Sequence, residues 1–434
     1  MKKLSFKGGI FLDGSKKQTA ALPVRTLKPP KLLYFPLQQH IGAMLEPIVK
    51  PGDYVRMGQK LADSHATLSV PLHASVSGKV LSVVAHPHPN GSYVKTIVIE
   101  NDGRDTPASP LCRKQPEAMS RPEMIGVIRE GGIVGLGGAG FPTHIKLSPP
   151  PDKPITHILV NGAECEPYIS SDHRVMLERT EEVLEGIALV MRLFPQAKAV
   201  IAVEDNKSDA VRAILSHIEK QHLDITVLTL LEKYPQGSEK HLIYAATGRE
   251  VPSGGLPMDV GCVVLNIATT AAVAHAVIQG MPLMSRVVTV SGSAVRQPGC
   301  FSVRIGTPFA DVIAAAGGTV APPGKIIMGG PMMGVAGFSF NAPVVKTTSS
   351  VLIMTEQAAQ IAAEAPCVRC GKCAAVCPMR LRPLLLHAYA MHEDWEKCRK
   401  ENIFDCIECG CCSYVCPSKR NIVQSVRLGK VRAQ

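Results

Sequence analysis

Aromatic residues are scarce in this chain, where they make up 4% of the 434 residues. Proteins that hold nucleic acid by stacking present basic runs with interleaved aromatic side chains, and no such run occurs here. No nucleic-acid partner is therefore expected. The formal net charge of +11 instead predicts docking to an acidic partner or a membrane face.

Long apolar runs are also few. The first nine residues contain lysines but no continuous apolar stretch behind them, so no signal peptide is expected. Residues 260–285 carry no Asp, Glu, Lys or Arg, and they are long enough to span a bilayer. They are rich in Ala and Thr, however, and include Asn266, His275 and Gln279, which a spanning helix disfavours. A strand over 262–266 and a helix over 269–279 are predicted instead, with no transmembrane segment.

A carrier lysine is missing from the first β-rich region. Short apolar strands separated by turns, one of them at Pro51-Gly52, run from Leu32 to about residue 105, behind a basic leader over 1–25 that has the composition of a loop. The pattern resembles a biotinyl- or lipoyl-type β-sandwich. Carrier domains of that kind present a lysine at a central hairpin, but no lysine lies between Lys60 and Lys79. A rigid docking module is therefore predicted rather than a covalent carrier.

Cysteine, in contrast, is plentiful near the C-terminus. Eight of the 14 cysteines form two runs with the spacing C-x2-C-x2-C-x3-C-P, which is typical of bacterial [4Fe–4S] ferredoxins. The six others are scattered, which argues for a reducing compartment rather than a disulfide framework. Two tandem runs predict two [4Fe–4S] clusters, with zinc as the weaker alternative. The predicted ligands are Cys367, Cys370, Cys373, Cys377, Cys406, Cys409, Cys412 and Cys416.

The fourth cysteine of each run is expected to serve the other cluster, as in two-cluster ferredoxins. Cys416 is then grouped with the first three cysteines of the first run, and Cys377 with Cys406, Cys409 and Cys412. Cys411 lies inside the second run and could compete as a ligand, but register with the first run favours Cys412, so Cys411 is expected to be a non-ligand.

The middle of the chain alternates between helix and strand patterns. This alternation predicts a parallel sheet that is covered on both faces. The predicted elements are helix 124–130, strand 155–160, helix 175–194, strand 199–203, helix 207–221, strand 225–230, helix 239–246 and the strand ending at Asn266.

A glycine-rich loop precedes this alternation. Gly135, Gly137 and Gly140 satisfy G-x-G-x-x-G, but the loop follows a helix and meets Pro142, so it is not a dinucleotide-binding turn of the usual kind. With Gly138, these glycines allow close approach of the backbone and direct amides at phosphate, and Lys146 adds a charge. The alternative is a flexible surface loop.

Polar residues follow the next strand. Asn161, Glu164 and Glu166 lie just past its carboxyl end, where open α/β sheets bind ligands. The two carboxylates are candidates for binding ribityl or ribose hydroxyls, and the alternative is an acidic turn.

Beyond residue 285 the pattern becomes β-rich again and resembles a β-grasp SLBB domain, with a helix over 309–316. A further helix over 350–365 is expected to lead into the cysteine runs. The predicted domains are 1–115, 120–280, 285–345 and 350–434.

Two segments carry a family resemblance. The loop over 135–146, followed by Val-Asn-Gly-Ala-Glu-Cys-Glu-Pro at 160–167, is similar to the FMN/NADH-binding subunit of respiratory complex I, and residues 265–270 are similar to a later segment of that family. The order of domains resembles that of the RnfC family, the C subunits of Rnf-type ferredoxin:NAD⁺ oxidoreductases. The loop lacks the arginine of the complex I motif, and His144 stands where that motif has glycine.

The resemblance implies a multidomain α/β fold. Its parts are an N-terminal β barrel-sandwich hybrid, a complex I flavoprotein-like α/β FMN domain, an SLBB β-grasp domain and a mainly helical two-cluster ferredoxin domain at the C-terminus. It implies that FMN binds noncovalently, together with NAD(H), at the glycine loop, Lys146 and the loop over 161–166. Asn266 and Thr269 of the later segment belong to the same implied site.

The implied function is that of an NAD-dependent flavin/iron–sulfur oxidoreductase component of a translocase. Its partners are the membrane and ferredoxin-like subunits of an Rnf complex, and it lies peripherally on the cytoplasmic face of the membrane. No catalytic side chain is required, because the flavin exchanges hydride and passes on single electrons. The alternatives are a flavin/iron–sulfur cobalamin reductase and a non-catalytic electron-transfer adaptor.

Overall fold

The computed structural model describes residues 4–434. Met1 to Lys3, part of the predicted leader, lie outside the described residues. Along the chain follow a sandwich domain, an α/β domain, a β-grasp domain and a cysteine-rich helical domain, in the predicted order. The predicted fold class is confirmed.

The sandwich domain packs two antiparallel sheets face to face. One has the order β2-β8-β7-β4 and the other β3-β5-β6. Apolar side chains such as Leu33, Phe35, Ile97 and Ile99 are fully buried between the sheets, because alternate residues of a strand face the same side. The strands are β2 Leu32–Pro36, β3 Glu46–Pro47, β4 Tyr54–Val55, β5 Lys60–Asp63, β6 Leu72–His73, β7 Gly78–Pro87 and β8 Tyr93–Asn101.

The α/β domain is built on a parallel sheet with the order β11-β10-β9-β12. Its strands are almost continuously apolar because helices cover both faces, as expected for parallel sheets. The strands are β9 His157–Gly162, β10 Lys198–Glu204, β11 Ile225–Leu230 and β12 Cys262–Asn266. The helices are α1 Arg121–Glu130, α2 Thr143–Lys146, α3 Ser171–Glu178, α4 Thr180–Leu193, α5 Ser208–Gln221, α6 Glu239–Thr247 and α7 Ile267–Ile278.

The helix predicted over 175–194 is divided in the structure. Arg179, with φ −132° and ψ 32°, separates α3 from α4. The break allows α4 to pack closely on α7: a Cβ added at Gly186 would lie 1.9 Å from the carbonyl oxygen of Thr270. Tertiary packing thus overrides a continuous helical pattern.

The β-grasp domain contains a mixed sheet with the order β1-β14-β13-β17-β15-β16. The predicted helix over 350–365 is wrong, because Ser350–Thr355 forms a strand between β13 and β15 with four buried residues in succession, and residues 356–371 are irregular. A short apolar run does not distinguish a buried strand from a helix. The elements are β1 Arg25–Thr26, β13 Ser285–Ser291, β14 Gly299–Arg304, α8 Phe309–Ala315, β15 Pro323–Met328, β16 Val335–Gly337 and β17 Ser350–Thr355.

The cysteine-rich domain is helical, as predicted. Leu386, Ile403, Ile422 and Val426 form a small apolar core between its helices. The helices are α9 Lys372–Ala375, α10 Pro383–Met391, α11 Trp395–Lys400, α12 Cys411–Tyr414 and α13 Ile422–Arg432. Among the residues that the structure describes, no helix is long and apolar enough to cross a membrane.

Candidate functional site

The parallel sheet places the candidate site at its topological switch point. The chain runs from β9 outward to β10 and β11, and then returns to form β12 on the other side of β9. Asn161 at the end of β9 and Asn266 at the end of β12 are register partners. Open α/β sheets bind ligands in the crevice at the carboxyl ends of such strands. The structure therefore brings these two predicted residues together.

The glycine loop reaches the same place. The backbone N–H of Leu136 donates to the hydroxyl oxygen of Thr269 at 2.9 Å, and Thr269 is fully buried. A Cβ added at Gly137 would lie 2.6 Å from Nδ2 of Asn266, so the loop backbone passes directly over the end of β12. Three segments that are distant in sequence converge at one edge of the sheet.

The apex of the loop is open. Gly137 and Gly138 are exposed, and a Cβ added at Gly138 would meet no atom within 4 Å among residues 4–434. The base of the loop is fixed, since the N–H of Gly135 donates to the Phe141 carbonyl at 2.9 Å and Gly140 adopts a φ of +74°. Exposed amides on a fixed base suit an anionic group such as phosphate.

Lys146 lies beside the site but is already paired. Its Nζ atom is 2.6 Å from a carboxylate oxygen of Glu239 and donates to the Val264 carbonyl at 3.2 Å. These contacts hold α2 against α6 and β12. In this arrangement the charge of Lys146 stabilises the base of the site rather than its apex.

The two carboxylates after β9 bind backbone amides. Glu164 is nearly buried and accepts hydrogen bonds from the N–H groups of Asp172 at 2.6 Å and His173 at 3.2 Å, so it caps the start of α3. Glu166 accepts from the N–H groups of Met332 at 3.1 Å and Met333 at 2.9 Å. Both side chains therefore shape the loop, and hydroxyl binding stays a prediction.

Two buried basic side chains that were not predicted support the glycine loop. Arg286 donates to the Leu136 carbonyl at 3.1 Å and to the Lys346 carbonyl. Lys346 donates to the carbonyls of Pro71 and Gly132, each at 2.7 Å. Burial lowers the pKa of Arg286 to about 10. No local pattern identifies these residues, because their partners are 60 to 275 positions away.

Asp172 is a further group that was not predicted. Its carboxylate accepts a hydrogen bond from Nδ2 of Asn266 at 2.5 Å, and Asn266 Oδ1 in turn accepts from the N–H of Ala268 at the start of α7. Burial, with the nearby charge of Glu164, raises the pKa of Asp172 to about 7. The Asn266 amide is thereby held in one orientation at the end of β12.

Replacing Lys346 should destabilise the folded protein. Lys346→Met is expected to lower the free energy of unfolding by about 1–3 kcal/mol, because the Pro71 and Gly132 carbonyls lose their donor in a buried place. Denaturant unfolding of the unaltered protein and of the Lys346→Met variant measures the change in the free energy of unfolding. Thr307→Val is a control, since its buried hydroxyl has no hydrogen-bond partner in the part of the chain that the structure describes.

The free energy of unfolding should also depend on pH through Lys346. Burial lowers the pKa of Lys346 from 10.5 to about 7, so between these values the unfolded chain holds a proton that the folded chain has lost. The contribution of this group to stability therefore grows as pH rises through the window and is lost as pH falls through about 7. The slope of unfolding free energy against pH should be flatter in Lys346→Met, and equal slopes would contradict the prediction.

The eight predicted cysteine ligands gather into two sets. The outer set lines an opening of about 500 Å³, and the inner set lines a smaller opening of about 20 Å³, together with Cys411. In each set three cysteines come from one run and the fourth from the other. The outer set is Cys367, Cys370, Cys373 and Cys416, and the inner set is Cys377, Cys406, Cys409 and Cys412.

The inner set offers sulfur donors. Burial raises the pKa of Cys406 to about 11 and of Cys412 to about 12, whereas a hydrogen bond with Cys411 lowers the pKa of Cys409. Metal ligation requires thiolates, which the positive charge of iron would stabilise. Within residues 4–434, no three His, Cys, Asp or Glu side chains converge closely enough for a single metal ion. Soft thiolates in sets of four are the donors that iron–sulfur clusters use.

These features define a class of protein. A parallel sheet with a glycine loop at its switch point, a β-grasp domain and a cysteine-rich domain together define a chain in which a complex I flavoprotein-like α/β domain is joined to a cysteine-rich helical module. Residues 128–275 match the Nuo51 FMN-binding domain, residues 4–104 the RnfC barrel sandwich hybrid domain and residues 287–336 the SLBB domain.

The chain belongs to the RnfC family, the C subunits of Rnf complexes, as the resemblance predicted. It is 46% identical over 432 residues to the C subunit of the Na⁺-translocating ferredoxin:NAD⁺ oxidoreductase complex of Acetobacterium woodii, covering 98% of this chain and 96% of that protein. It is also 46% identical over 426 residues to the proton-translocating counterpart of Clostridium ljungdahlii, covering 98% and 93%. The C subunit of the ion-translocating oxidoreductase complex of Rhodobacter capsulatus is 41% identical over 432 residues, with 99% and 83% covered.

A solved structure shares the fold. A chain of the NAD⁺-reducing [NiFe]-hydrogenase in the air-oxidised state superposes with a TM-score of 0.50 at 19% identity, covering 74% of this chain and 64% of that one. The present chain thus spans less than two thirds of that hydrogenase chain, and the likeness concerns the fold alone.

Proposed function

We propose that this chain is the NADH/NAD⁺-reacting electron-transfer subunit of a membrane-bound, ion-translocating ferredoxin:NAD⁺ oxidoreductase. It would hold FMN noncovalently at the switch point and two [4Fe–4S] clusters on the outer and inner sets. The observation that carries the proposal is the convergence of the glycine loop, Asn161 and Asn266 at one sheet edge. The full-length relatedness to the C subunits of such complexes supports it.

The residues present fit a flavin nucleotide. The exposed amides around Gly137 and Gly138 offer donors to the phosphate, and Asn161 and Asn266 lie at the same edge of the sheet. Thr269 and Gly140 hold the loop in place, and their contact with the cofactor stays a prediction. When bound, FMN interconverts hydride transfer and single-electron transfer.

The chain's own part in the reaction is positioning. Its buried basic side chains fix the glycine loop, whose backbone amides would bind the phosphate, and its cysteines would hold the clusters. No side chain is therefore assigned as acid or base. We further propose that the chain docks peripherally at the cytoplasmic face of the membrane, against the membrane and ferredoxin-like subunits of its complex. The net positive charge of +11 suits an acidic partner.

The proposal is tested on protein purified anaerobically with FMN and iron. We expect bound FMN, roughly eight iron atoms per chain, and NADH-dependent reduction of a dye acceptor that disappears when the flavin is stripped and returns when FMN is added back. A protein that holds iron but no flavin, and whose clusters are reduced by dithionite but not by NADH, would be a non-catalytic adaptor. Zinc in place of iron would contradict the proposal outright.

A further inference from the structure

The N-terminal segment from Leu4 to Lys16, here called the strap, runs between the α/β domain and the inner cysteine set. It is largely loop, as predicted, but it is held at both sides. The N–H of Leu231 donates to the Leu4 carbonyl at 2.9 Å, and Ile10 and Tyr234 exchange two backbone hydrogen bonds of 2.9 Å each. The strap therefore pairs with the last residue of β11 and with the loop that follows it.

The opposite side of the strap touches the first cysteine run. The N–H of Gly9 donates to the Val376 carbonyl at 2.8 Å. Gly8 adopts a left-handed φ of +78°, and a Cβ added there would lie 2.7 Å from the carbonyl oxygen of Cys377. Cys377 is the member of the inner set that comes from the first run, so the strap contacts the residue that links the two runs.

The far end of the strap reaches the loop that follows β9. The N–H of Tyr168 donates to the Gly14 carbonyl at 2.8 Å, and Lys16 donates to the Glu164 carbonyl. Lys16 also lies 4.0 Å from the Glu164 carboxylate. The same short segment thus touches the inner set and the loop beside the switch point.

Tyr234 completes the connection from the α/β domain. Its side chain is 2% exposed, and its hydroxyl donates to the Cys409 carbonyl at 2.8 Å and lies 3.4 Å from Glu166. The Glu166 carboxylate in turn binds the Met332 and Met333 amides of the β-grasp domain. One buried hydrogen-bond network therefore joins three domains next to the inner set.

We propose that the strap and Tyr234 are positioning elements that fix the inner cysteine set at a defined separation from the switch-point site. This inference rests on the function proposed above, in which the inner set would hold a cluster that receives electrons from the switch-point site. In that function each NADH would supply two electrons as a hydride, each cluster would take one of them, and a proton would be released to solvent. Transfer between fixed centres falls steeply as their separation grows, so a small displacement of the inner set slows it.

Gly8→Ala tests the inference, with Gly52→Ala as the matched control. Both positions have a left-handed φ, but a Cβ at Gly52 would meet no atom within 4 Å in the region the structure covers, whereas one at Gly8 would displace the Cys377 backbone. After rapid mixing of the holoprotein with NADH, the clusters of the Gly8→Ala variant should become reduced at least about tenfold more slowly than those of the unaltered protein. Freeze-quench EPR follows this reduction. The Gly8→Ala variant should match Gly52→Ala in its FMN content and its iron content. The two variants should also agree in the rate of flavin reduction by NADH and in the reduction of their clusters by dithionite.

A readout that does not depend on turnover accompanies the kinetics. Amide hydrogen exchange over residues 4–16 and 230–236 should rise in Gly8→Ala and stay unchanged in Gly52→Ala, because the backbone pairing of Ile10 with Tyr234 would be loosened. Tyr234→Phe is a second variant in case Gly8→Ala fails to fold. It removes only the hydroxyl group that donates to the Cys409 carbonyl, and it should also slow cluster reduction.

The outcomes separate the two proposals. Absence of flavin, or of any cluster reduction by NADH in the unaltered protein, contradicts the proposed function. Normal behaviour of the unaltered protein, with cluster reduction at the same rate in Gly8→Ala and Tyr234→Phe, overturns the positioning role.

Discussion

Replacing Cys377 with serine is expected to remove the inner cluster and leave the outer one in place. Although Cys377 belongs to the first run, it lines the inner opening with Cys406, Cys409 and Cys412. Iron content should fall from about eight to about four atoms per chain, because each cubane needs its four thiolates. The EPR signal that remains should be that of the outer cluster.

The assignment of the remaining signal requires two further variants. Cys370→Ser, in the outer set, should remove the complementary signal, and Cys406→Ser should reproduce the effect of Cys377→Ser. Cys112→Ser is the control, since Cys112 lies in neither set. If Cys377→Ser and Cys370→Ser removed the same signal, each run would hold its own cluster and the proposed exchange of ligands would be wrong.

Replacing Gly138 with valine is expected to weaken FMN binding strongly while leaving the fold unchanged. The position is exposed, and a Cβ there finds open space among the described residues. Added atoms therefore do not clash with the protein, and they would occupy the space where a phosphate approaches the loop amides. A loss of affinity of about 100-fold, or about 2.7 kcal/mol, is expected.

Fluorescence titration of the stripped protein with FMN measures this affinity, and thermal unfolding of the stripped protein shows whether the fold is intact. Gly126→Val is the matched control. Gly126 is exposed on α1, and its Cβ would also meet nothing within 4 Å in residues 4–434. If both variants bound FMN like the unaltered protein, the loop would be the flexible surface segment that its composition also allows.

Part of the candidate site follows from local sequence. The spacing of the cysteines is a local property, since three ligands of a cluster lie within seven residues. The glycine loop and the apolar strands of the α/β domain are local as well, and the strand over Ile225–Leu230 was predicted with its observed ends. Short apolar runs are ambiguous, which is why the strand over Ser350–Thr355 was predicted as a helix.

The roles of polar side chains were harder to predict. Glu164 and Glu166 accept hydrogen bonds from backbone amides of α3 and of the turn at Met332, which the sequence did not predict, and their contact with a ligand stays a prediction. Lys146 is likewise paired with Glu239. A carboxylate or an ammonium group has the same appearance in sequence whether its partner is a ligand or a distant amide.

The sequence alone determined the order of domains, the two cysteine runs, the open glycine loop and the family, because each depends on residue types at short, regular spacing. The tertiary structure alone decided that Lys346 and Arg286 hold the loop from below, and that the first residues of the chain lie against Cys377. It also places Tyr234 against Cys409. These contacts join residues that are far apart in the sequence, such as Pro71 with Lys346 and Gly9 with Val376. Such pairs form only when packing of separate domains brings donors to carbonyls that would otherwise be left without a partner.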